Sequence, residues 1–292
     1  MEVCDLKYYR PQTLQEACEL GRTFGEEGRY LAGGTELLVD FKRKRDQAEY
    51  LISLQDVPDL KNVIFEDSLL RIGAMATLTD IADSPLVAKV FPVLREAILT
   101  MGSLQIRNQA TIGGNFCRAV PCADTPPICI AGDARLRLVG IESDRVLPAA
   151  TFFTGPRQTV RQSGEILTEI QIPTQPAHSG ANYQRFSLRR GSALAVASVA
   201  ALVILDGEKI AEARVILGSV APVPLPATQC VQIVTGQKPT DDLFARAGKA
   251  AASEAQPITD IRGSKEYRRD LVKVLTARAL KEATVRAQGA PA

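Results

Sequence analysis

The segment Tyr30-Leu31-Ala32-Gly33-Gly34-Thr35-Glu36-Leu37 decides the fold of the first part of this chain. The apolar run that enters it predicts a buried strand over 29–32, and the apolar residues that follow have the spacing of one helix face, which predicts a helix over 36–44. A strand, a glycine turn and a helix in this order bring backbone N–H groups and a helix N-terminus to one point, which suits a bound pyrophosphate. A tight turn that needs a positive φ is the more common reason for such a glycine pair.

A second glycine turn, Thr111-Ile112-Gly113-Gly114-Asn115, lies within a region of small and polar residues over 103–124. The nearby Pro121, Pro126 and Pro127 interrupt the chain too often for a regular helix or a central strand. We therefore expect a backbone shaped around a ligand, with the same caution that applies to the first turn.

Hydrophobic periodicity and turn residues predict the remaining elements. Thr13 and Glu16 have the spacing of a capping box that opens a short helix, and Val93 to Met101 carry an amphipathic stripe that we interpret as core. Further strands are predicted over 50–54, 69–73, 136–141, 165–172, 183–188, 193–205 and 213–217, and further helices over 242–255 and 265–287.

The segment Pro173-Thr174-Gln175-Pro176 is a plausible linker. We place a domain boundary there, which gives one domain over 1–175, itself divided near residue 60, and a smaller α+β domain over 176–292. A length of 292 residues agrees with about two domains.

Composition excludes several classes of protein. With 46% hydrophobic residues, 23% charged residues and a net charge of +2, the chain is an ordinary globular protein, and its short scattered basic runs are not a nucleic-acid footprint, although one could dock another subunit. The longest apolar run, 193–205, is shorter than the roughly 18 to 20 residues of a membrane span. The first residues carry no signal peptide, so we expect a cytoplasmic protein with reduced cysteines.

Familiar catalytic motifs are missing from the sequence. There is no G-x-G-x-x-G, no P-loop, no C-x-x-C and no G-x-S-x-G, and His178 is the only histidine, which we expect in an exposed loop. Cys117, Cys122 and Cys129 could ligate an iron–sulfur cluster, but their spacing matches no common ferredoxin pattern, so we favour small buried residues. We assign no metal site and no catalytic acid or base.

In their order, three segments resemble the FAD-binding medium subunit of the molybdenum hydroxylases: 30–37, 106–115 and Asp124-Thr125-Pro126-Pro127. This family includes xanthine dehydrogenases, aerobic carbon monoxide dehydrogenase and 4-hydroxybenzoyl-CoA reductase. The segments 164–173 and 183–190 are similar to family segments as well. Asp124 follows Gly114 so closely that there is no room for the cysteine-rich insertion of the 4-hydroxybenzoyl-CoA reductases.

The resemblance implies a fold and a site. The fold is a vanillyl-alcohol-oxidase-type FAD domain of two α/β subdomains, followed by a C-terminal α+β domain. Both glycine turns would act through backbone donors, Asp124 would accept hydrogen bonds from cofactor hydroxyl groups, and Arg185 stands where relatives often have lysine. The implied FAD contacts are Tyr30, Leu31, Ala32, Gly33, Gly34, Thr35, Glu36, Leu37, Met101, Thr111, Ile112, Gly113, Gly114, Asn115, Cys117, Asp124, Leu167 and Arg185.

The resemblance also implies partners. The chain would be one of three subunits, with a molybdopterin-binding large subunit, a small subunit that carries two [2Fe–2S] clusters, and an external redox carrier. The alternatives are a stand-alone FAD oxidase of the vanillyl-alcohol type, which the single histidine disfavours, and a flavin-free interaction subunit, which would have degraded glycine turns.

Overall fold

The structure is a computed structural model that describes residues 6–189 and 191–289. Cys4 and the first residues, for which we predict no signal peptide, lie outside the described part, as does Arg190. Secondary structure is mixed throughout, so the predicted class of helices combined with strands is confirmed.

A small parallel sheet forms the first unit. Its strands are β1 (Lys7–Tyr9), β2 (Gly28–Leu31) and β3 (Tyr50–Ser53), in the order β1-β3-β2. Helix α1 (Leu14–Phe24) begins as predicted at Thr13, whose hydroxyl accepts from the Glu16 N–H, but the Glu16 carboxylate accepts from the Gln12 N–H and so does not close the capping box. Helix α2 (Leu37–Lys42) follows the first glycine turn.

An antiparallel sheet of five strands forms the second unit, in the order β4-β5-β10-β6-β7. Its central strand β10 is long and almost entirely buried. The strands of this unit are β4 (Val63–Glu66), β5 (Leu69–Gly73), β6 (Arg135–Val139), β7 (Asp144–Pro148), the separate hairpin of β8 (Phe153–Gly155) and β9 (Gln158–Thr159), and β10 (Ile166–Pro173). The helices are α3 (Leu78–Asp83), α4 (Pro85–Val90), α5 (Pro92–Leu99), α6 (Leu104–Arg107), α7 (Ile112–Cys117) and α8 (Thr125–Ala131).

The prolines do not keep this region from forming helices. Pro126 and Pro127 lie in the first turn of α8, where a helix does not need the N–H that proline lacks. The region 103–124 also contains α6 and the glycine-containing α7, so it is a series of short helices and turns. The prediction of an irregular loop was therefore wrong in part.

A second antiparallel sheet forms the third unit, in the order β11-β12-β13-β14. Its strands are β11 (Ser179–Phe186), β12 (Ala197–Asp206), β13 (Lys209–Gly218) and β14 (Leu225–Pro226). They are followed by α9 (Thr228–Val234), which was not predicted, and by α10 (Asp241–Glu254) and α11 (Lys265–Gly289), which lie close to the two predicted helices.

The third sheet is covered on both faces. Alternate residues of β12 point to opposite sides, so Ala201 and Val203 join the core under α10 and α11, whereas Ala200 and Leu202 join the core of the second unit. One hydrophobic core therefore crosses the expected domain boundary near residue 175. No helix of the described part is long and apolar enough to cross a membrane.

Candidate cofactor site

A cleft of about 830 Å³ lies where the three units meet, a size common among ligand-binding clefts. Most of the residues predicted to contact a cofactor line it. They are Tyr30, Ala32, Gly33, Gly34, Thr35, Glu36, Leu37, Met101, Thr111, Gly113, Gly114, Asn115, Cys117, Asp124 and Leu167.

The first glycine turn presents a row of unpaired donors to this cleft. No described residue accepts a hydrogen bond from the backbone N–H groups of residues 32–37, and the first internal bond of the turn is donated by the Leu38 N–H to the Gly34 oxygen. Gly34 has a φ of 69°, a conformation that glycine adopts without strain. A row of unpaired N–H groups before a helix is an arrangement that suits an anion.

The second turn works differently from the prediction. The N–H groups of Ile112 and Gly113 donate to the carbonyls of Ala76 and Ala74, and those of Gly114 and Asn115 donate to Thr111, which caps α7. These donors are satisfied because the turn is itself the first turn of a helix packed on the second unit. The N–H groups of Ile112 to Asn115 therefore have partners within the chain and are not free to donate to a ligand, and the Asn115 Oδ1 accepts from the Thr125 hydroxyl.

Two glycines are required by close packing of the cleft walls. A Cβ on Gly33 would fall on the carbonyl oxygen of Gln109, and one on Gly113 would come within 2.6 Å of the Ala74 oxygen. A Cβ on Gly114 would meet only the Thr111 hydroxyl at 3.0 Å and the Ala32 methyl at 3.8 Å. Gly33 and Gly113 thus hold the walls together, and Gly114 leaves room beside the cleft.

Three predicted contact residues do not line the cleft. Leu31 ends β2 in register with Ser53, and Ile112 is fully buried in the core of the second unit because it begins α7 on its inner face. Arg185 lies behind the wall, where its side chain is 7% exposed and its guanidinium pairs with Asp124. For these three, the predicted direct contact is not supported.

Asp124 lines the cleft as predicted and is buried. Its Oδ1 accepts from the Tyr183 hydroxyl at 2.6 Å and from the Arg185 Nε at 2.9 Å, and no described side chain or N–H donates to its Oδ2. Burial raises the pKa of this carboxyl, and both the charge of Arg185 and the two hydrogen bonds oppose the rise.

Met101, Cys117 and Leu167 are part of the apolar lining, together with residues such as Leu78 and Ile166. Burial raises the pKa of the Cys117 thiol, so it packs as a neutral group. Tyr30 contributes its ring, and its hydroxyl donates to the Ala17 carbonyl at 3.2 Å. All five described cysteines are unpaired, and the parts of the chain that the structure describes bring no three His, Cys, Asp or Glu side chains together as a metal site.

The charge of the cleft was not predicted from the sequence. Its lining includes three carboxylates, Glu36, Asp46 and Asp124, and six arginines, Arg29, Arg45, Arg107, Arg118, Arg157 and Arg161, which leaves an excess of positive charge. Arg161 is the arginine of this set with a buried, unpartnered Nε. A positive lining suits a ligand with a diphosphate.

An ion network ties α2 to α7 at the edge of the cleft. Arg118 pairs with the buried Asp40 and, through its Nε at 3.1 Å, with Glu36, and Arg157 also approaches Asp40 at 3.4 Å. The Glu36 carboxylate, predicted as a cofactor contact, is therefore engaged by Arg118. This network holds the helices that follow the two glycine turns beside each other.

Two further segments line the cleft and were missed: 161–164, before β10, and 192–194, before β12. Gly164, with a φ of 77°, was the sequence signal for a sharp turn at the first segment. The second is brought in by the hydrogen bond from the Ser192 N–H to the Gly102 oxygen, which a sequence does not reveal. Unpaired donors, positive charge and an apolar wall in one cleft fit an FAD, with its diphosphate and its flat ring system.

Comparison with known proteins agrees with this site. Residues 4–175 match the family model described as the FAD binding domain in molybdopterin dehydrogenase, and residues 182–283 match the CO dehydrogenase flavoprotein C-terminal domain. The glyceraldehyde dehydrogenase medium chain of Sulfolobus acidocaldarius is 32% identical, covering 95% of this chain and 98% of its own. The xanthine dehydrogenase FAD-binding subunit of Escherichia coli O157:H7 is 28% identical, covering 97% of each.

Solved structures give the same result over the full length. The carbon monoxide dehydrogenase of Hydrogenophaga pseudoflava superimposes with a TM-score of 0.95 at 31% identity, covering 98% of this chain and 99% of that one. The quinoline 2-oxidoreductase of Pseudomonas putida 86 does so with a TM-score of 0.92 at 27% identity, covering 99% of both. This chain therefore belongs to the family of FAD-binding medium subunits of the molybdenum hydroxylases.

Proposed function

We propose that the cleft holds the FAD of an oxidoreductase complex and that the backbone of residues 32–37 binds the pyrophosphate. The observation that carries this proposal is the row of N–H groups with no partner in the described chain, facing a cleft with excess positive charge. Asn115 and Asp124 would bind polar groups of the cofactor, and Met101, Cys117 and Leu167 would pack against its apolar part.

The chain's role is to hold the cofactor in position for electron transfer. When bound, FAD supplies the redox chemistry, accepting and releasing electrons between [2Fe–2S] clusters and an external carrier. The clusters belong to a small partner subunit, and the substrate chemistry belongs to a large subunit with a molybdopterin cofactor. Family membership supports this arrangement, since the relatives are medium chains and FAD-binding subunits. It favours an electron-transfer subunit over a stand-alone oxidase.

Three finer expectations belong to the same proposal. The FAD domain would be of the vanillyl-alcohol-oxidase type, its bounds would be 1–175 with a division near residue 60, and the complex would work in the cytoplasm. The parallel first sheet and the antiparallel second sheet support two subdomains on either side of residue 60. The smaller domain would span 176–292.

The proposal is tested on the chain purified together with its partner subunits. We expect the complex to show flavin absorbance bands and to release FAD, identified by chromatography and mass spectrometry after denaturation. A complex that contains the molybdenum and iron–sulfur cofactors but no flavin would contradict it, since a flavin-free interaction subunit predicts that result.

A further inference from the structure

Asp124 is held by side chains from a different unit of the fold. The residue precedes α8 in the second unit, whereas Tyr183 and Arg185 are on β11 of the third. The Tyr183 hydroxyl at 2.6 Å and the Arg185 Nε at 2.9 Å donate to the same oxygen, Oδ1. Because both donors use one oxygen, the other remains available to the cleft that Asp124 lines.

Arg185 also holds a second wall of the cleft. Its Nη2 donates to the carbonyl of Ala193, and its Nη1 donates to the Ser187 hydroxyl at 3.3 Å. Ala193 lines the cleft, so one guanidinium connects Asp124 with the 192–194 segment. A lysine could pair with Asp124, but its single ammonium cannot reproduce this planar set of contacts.

We propose that Tyr183 and Arg185 are positioning residues, which hold the Asp124 carboxyl oriented toward the cofactor without touching the cofactor themselves. This inference rests on the proposed function. It changes the role expected of Arg185: its side chain is 7% exposed and does not line the cleft, so it acts on FAD through Asp124.

The surroundings of Asp124 support this role. Burial raises its pKa, and the charge of Arg185 is the main effect that opposes the rise. Tyr183 stays protonated, because burial and the nearby Asp124 carboxylate raise its pKa well above the usual range. A further titratable group near Asp124 is Cys122, whose thiol pKa is raised by burial and which lies next to Arg262. Without Arg185, the Asp124 carboxyl would take up a proton at a higher pH.

A double-mutant cycle tests the inference. Complexes with wild-type chain, Arg185→Gln, Asp124→Asn and the double variant are stripped of FAD and titrated with it, following flavin fluorescence from pH 5.5 to 8.5, a range of about three units around neutrality. We expect Arg185→Gln to weaken FAD binding by about tenfold, the usual scale of a charge-assisted hydrogen bond, with a larger loss at low pH. In the Asp124→Asn background, Arg185→Gln should add little, and the extra pH dependence should vanish.

Matched variants distinguish the loss of Asp124 positioning from a general loss of folded structure. Tyr183→Phe removes one donor to Asp124 and should weaken FAD binding by a smaller factor. Arg286→Gln removes an arginine that also joins two units, through Glu96 and the Ala181 carbonyl, but lies away from the cleft, so FAD affinity should not change. Thermal unfolding of each FAD-free complex checks that the chain is folded.

Two outcomes of the double-mutant cycle would overturn the inference. If the losses from Arg185→Gln and Asp124→Asn multiply in the double variant, with no change in pH dependence, Arg185 acts on FAD by a route that does not pass through Asp124, and the inference is overturned. If the wild-type complex takes up no FAD, the proposed function fails, and this inference fails with it.

Discussion

At Gly33 and Gly114 the absence of a side chain serves two different purposes. The sequence predicts both positions as cofactor turns, and both line the cleft. Gly33 is needed because the Gln109 backbone passes too close for a Cβ, whereas a Cβ on Gly114 would meet only the Thr111 hydroxyl at 3.0 Å and the Ala32 methyl at 3.8 Å. A glycine pair in a sequence does not distinguish these cases, because the distance to a segment far along the chain is a property of the packed structure.

Gly114→Ala is the substitution that tests the cofactor site with least harm to the fold. Gly114 is inside α7, where alanine is favoured over glycine by about 0.5 to 1 kcal/mol, so thermal stability without FAD should not fall. The added methyl group takes up space beside the cleft, and we expect FAD to bind about tenfold more weakly, measured by fluorescence titration. Gly191→Ala, where a Cβ meets nothing within 4 Å, should leave FAD affinity unchanged. Equal FAD affinity in the two variants would show that residue 114 is not part of the site.

At the scale of elements, α11 is fixed by a buried arginine. Arg268 is 2% exposed, donates to the carbonyls of Val196 and Ser219, and pairs with Asp260 at 2.7 Å. Arg262 binds the same carboxylate at 2.6 Å. Together the two arginines hold the pKa of Asp260 well below its usual range, with the Arg262 hydrogen bond the largest cause.

Asp260→Asn should therefore destabilise the protein by about 2 kcal/mol at pH 7, the scale of a hydrogen bond to a charged group. Because the folded pKa is lowered, the stabilisation is present above the unfolded pKa, near 3.9, and is lost as the pH falls from there toward the folded value. Urea unfolding at pH 7 and at pH 3 should show a smaller difference between variant and wild type in acid. Asp242→Asn, which breaks an exposed pair with Arg246, is the control and should have little effect at either pH. If Asp260→Asn and Asp242→Asn change the stability equally, the pairing of Arg268 with Asp260 does not stabilise the protein.

The elements themselves were largely predictable, and the reasons for the exceptions are physical. Strands such as β5 and helices such as α10 carry a clear hydrophobic period, so the sequence locates them within a few residues. The sequence does not predict α8 because two adjacent prolines usually interrupt a helix, although they suit a first helical turn. Arg185 was assigned to the cofactor because its partner, Asp124, comes from an element that only tertiary packing brings next to β11.

On the scale of the whole molecule, the units expected as separate domains share one core. The second unit and the third sheet are joined by Ala200, Leu202 and Ile216, which belong to the same hydrophobic cluster as β5 and β10. Polar contacts cross the same boundary, among them the pair of Arg286 with Glu96 at 2.9 Å. The linker signal at 173–176 therefore marks a change of sheet and not a flexible joint.

We expect these two units to unfold together. Scanning calorimetry of the chain should give one transition for the second unit and the third sheet, with a van't Hoff enthalpy close to the calorimetric enthalpy. Leu202→Ala, which removes buried side-chain volume at the junction, should lower the midpoint of that single transition. Two transitions, only one of which moves in the variant, would show that the units unfold independently.

Because Gly33 packs directly against the Gln109 backbone, substitutions at Gly33 and at Gly114 should cause two different kinds of genetic defect. A substitution that only weakens FAD binding, as at residue 114, lowers the fraction of sites that hold FAD. A larger supply of flavin in the cell restores this fraction by mass action. A change at Gly33 pushes apart two backbone segments before any cofactor is present, so added riboflavin cannot repair it. Recovery of activity in a mutant strain grown with added riboflavin would thus show whether the defect lies in FAD binding or in the packing of the backbone behind the cleft.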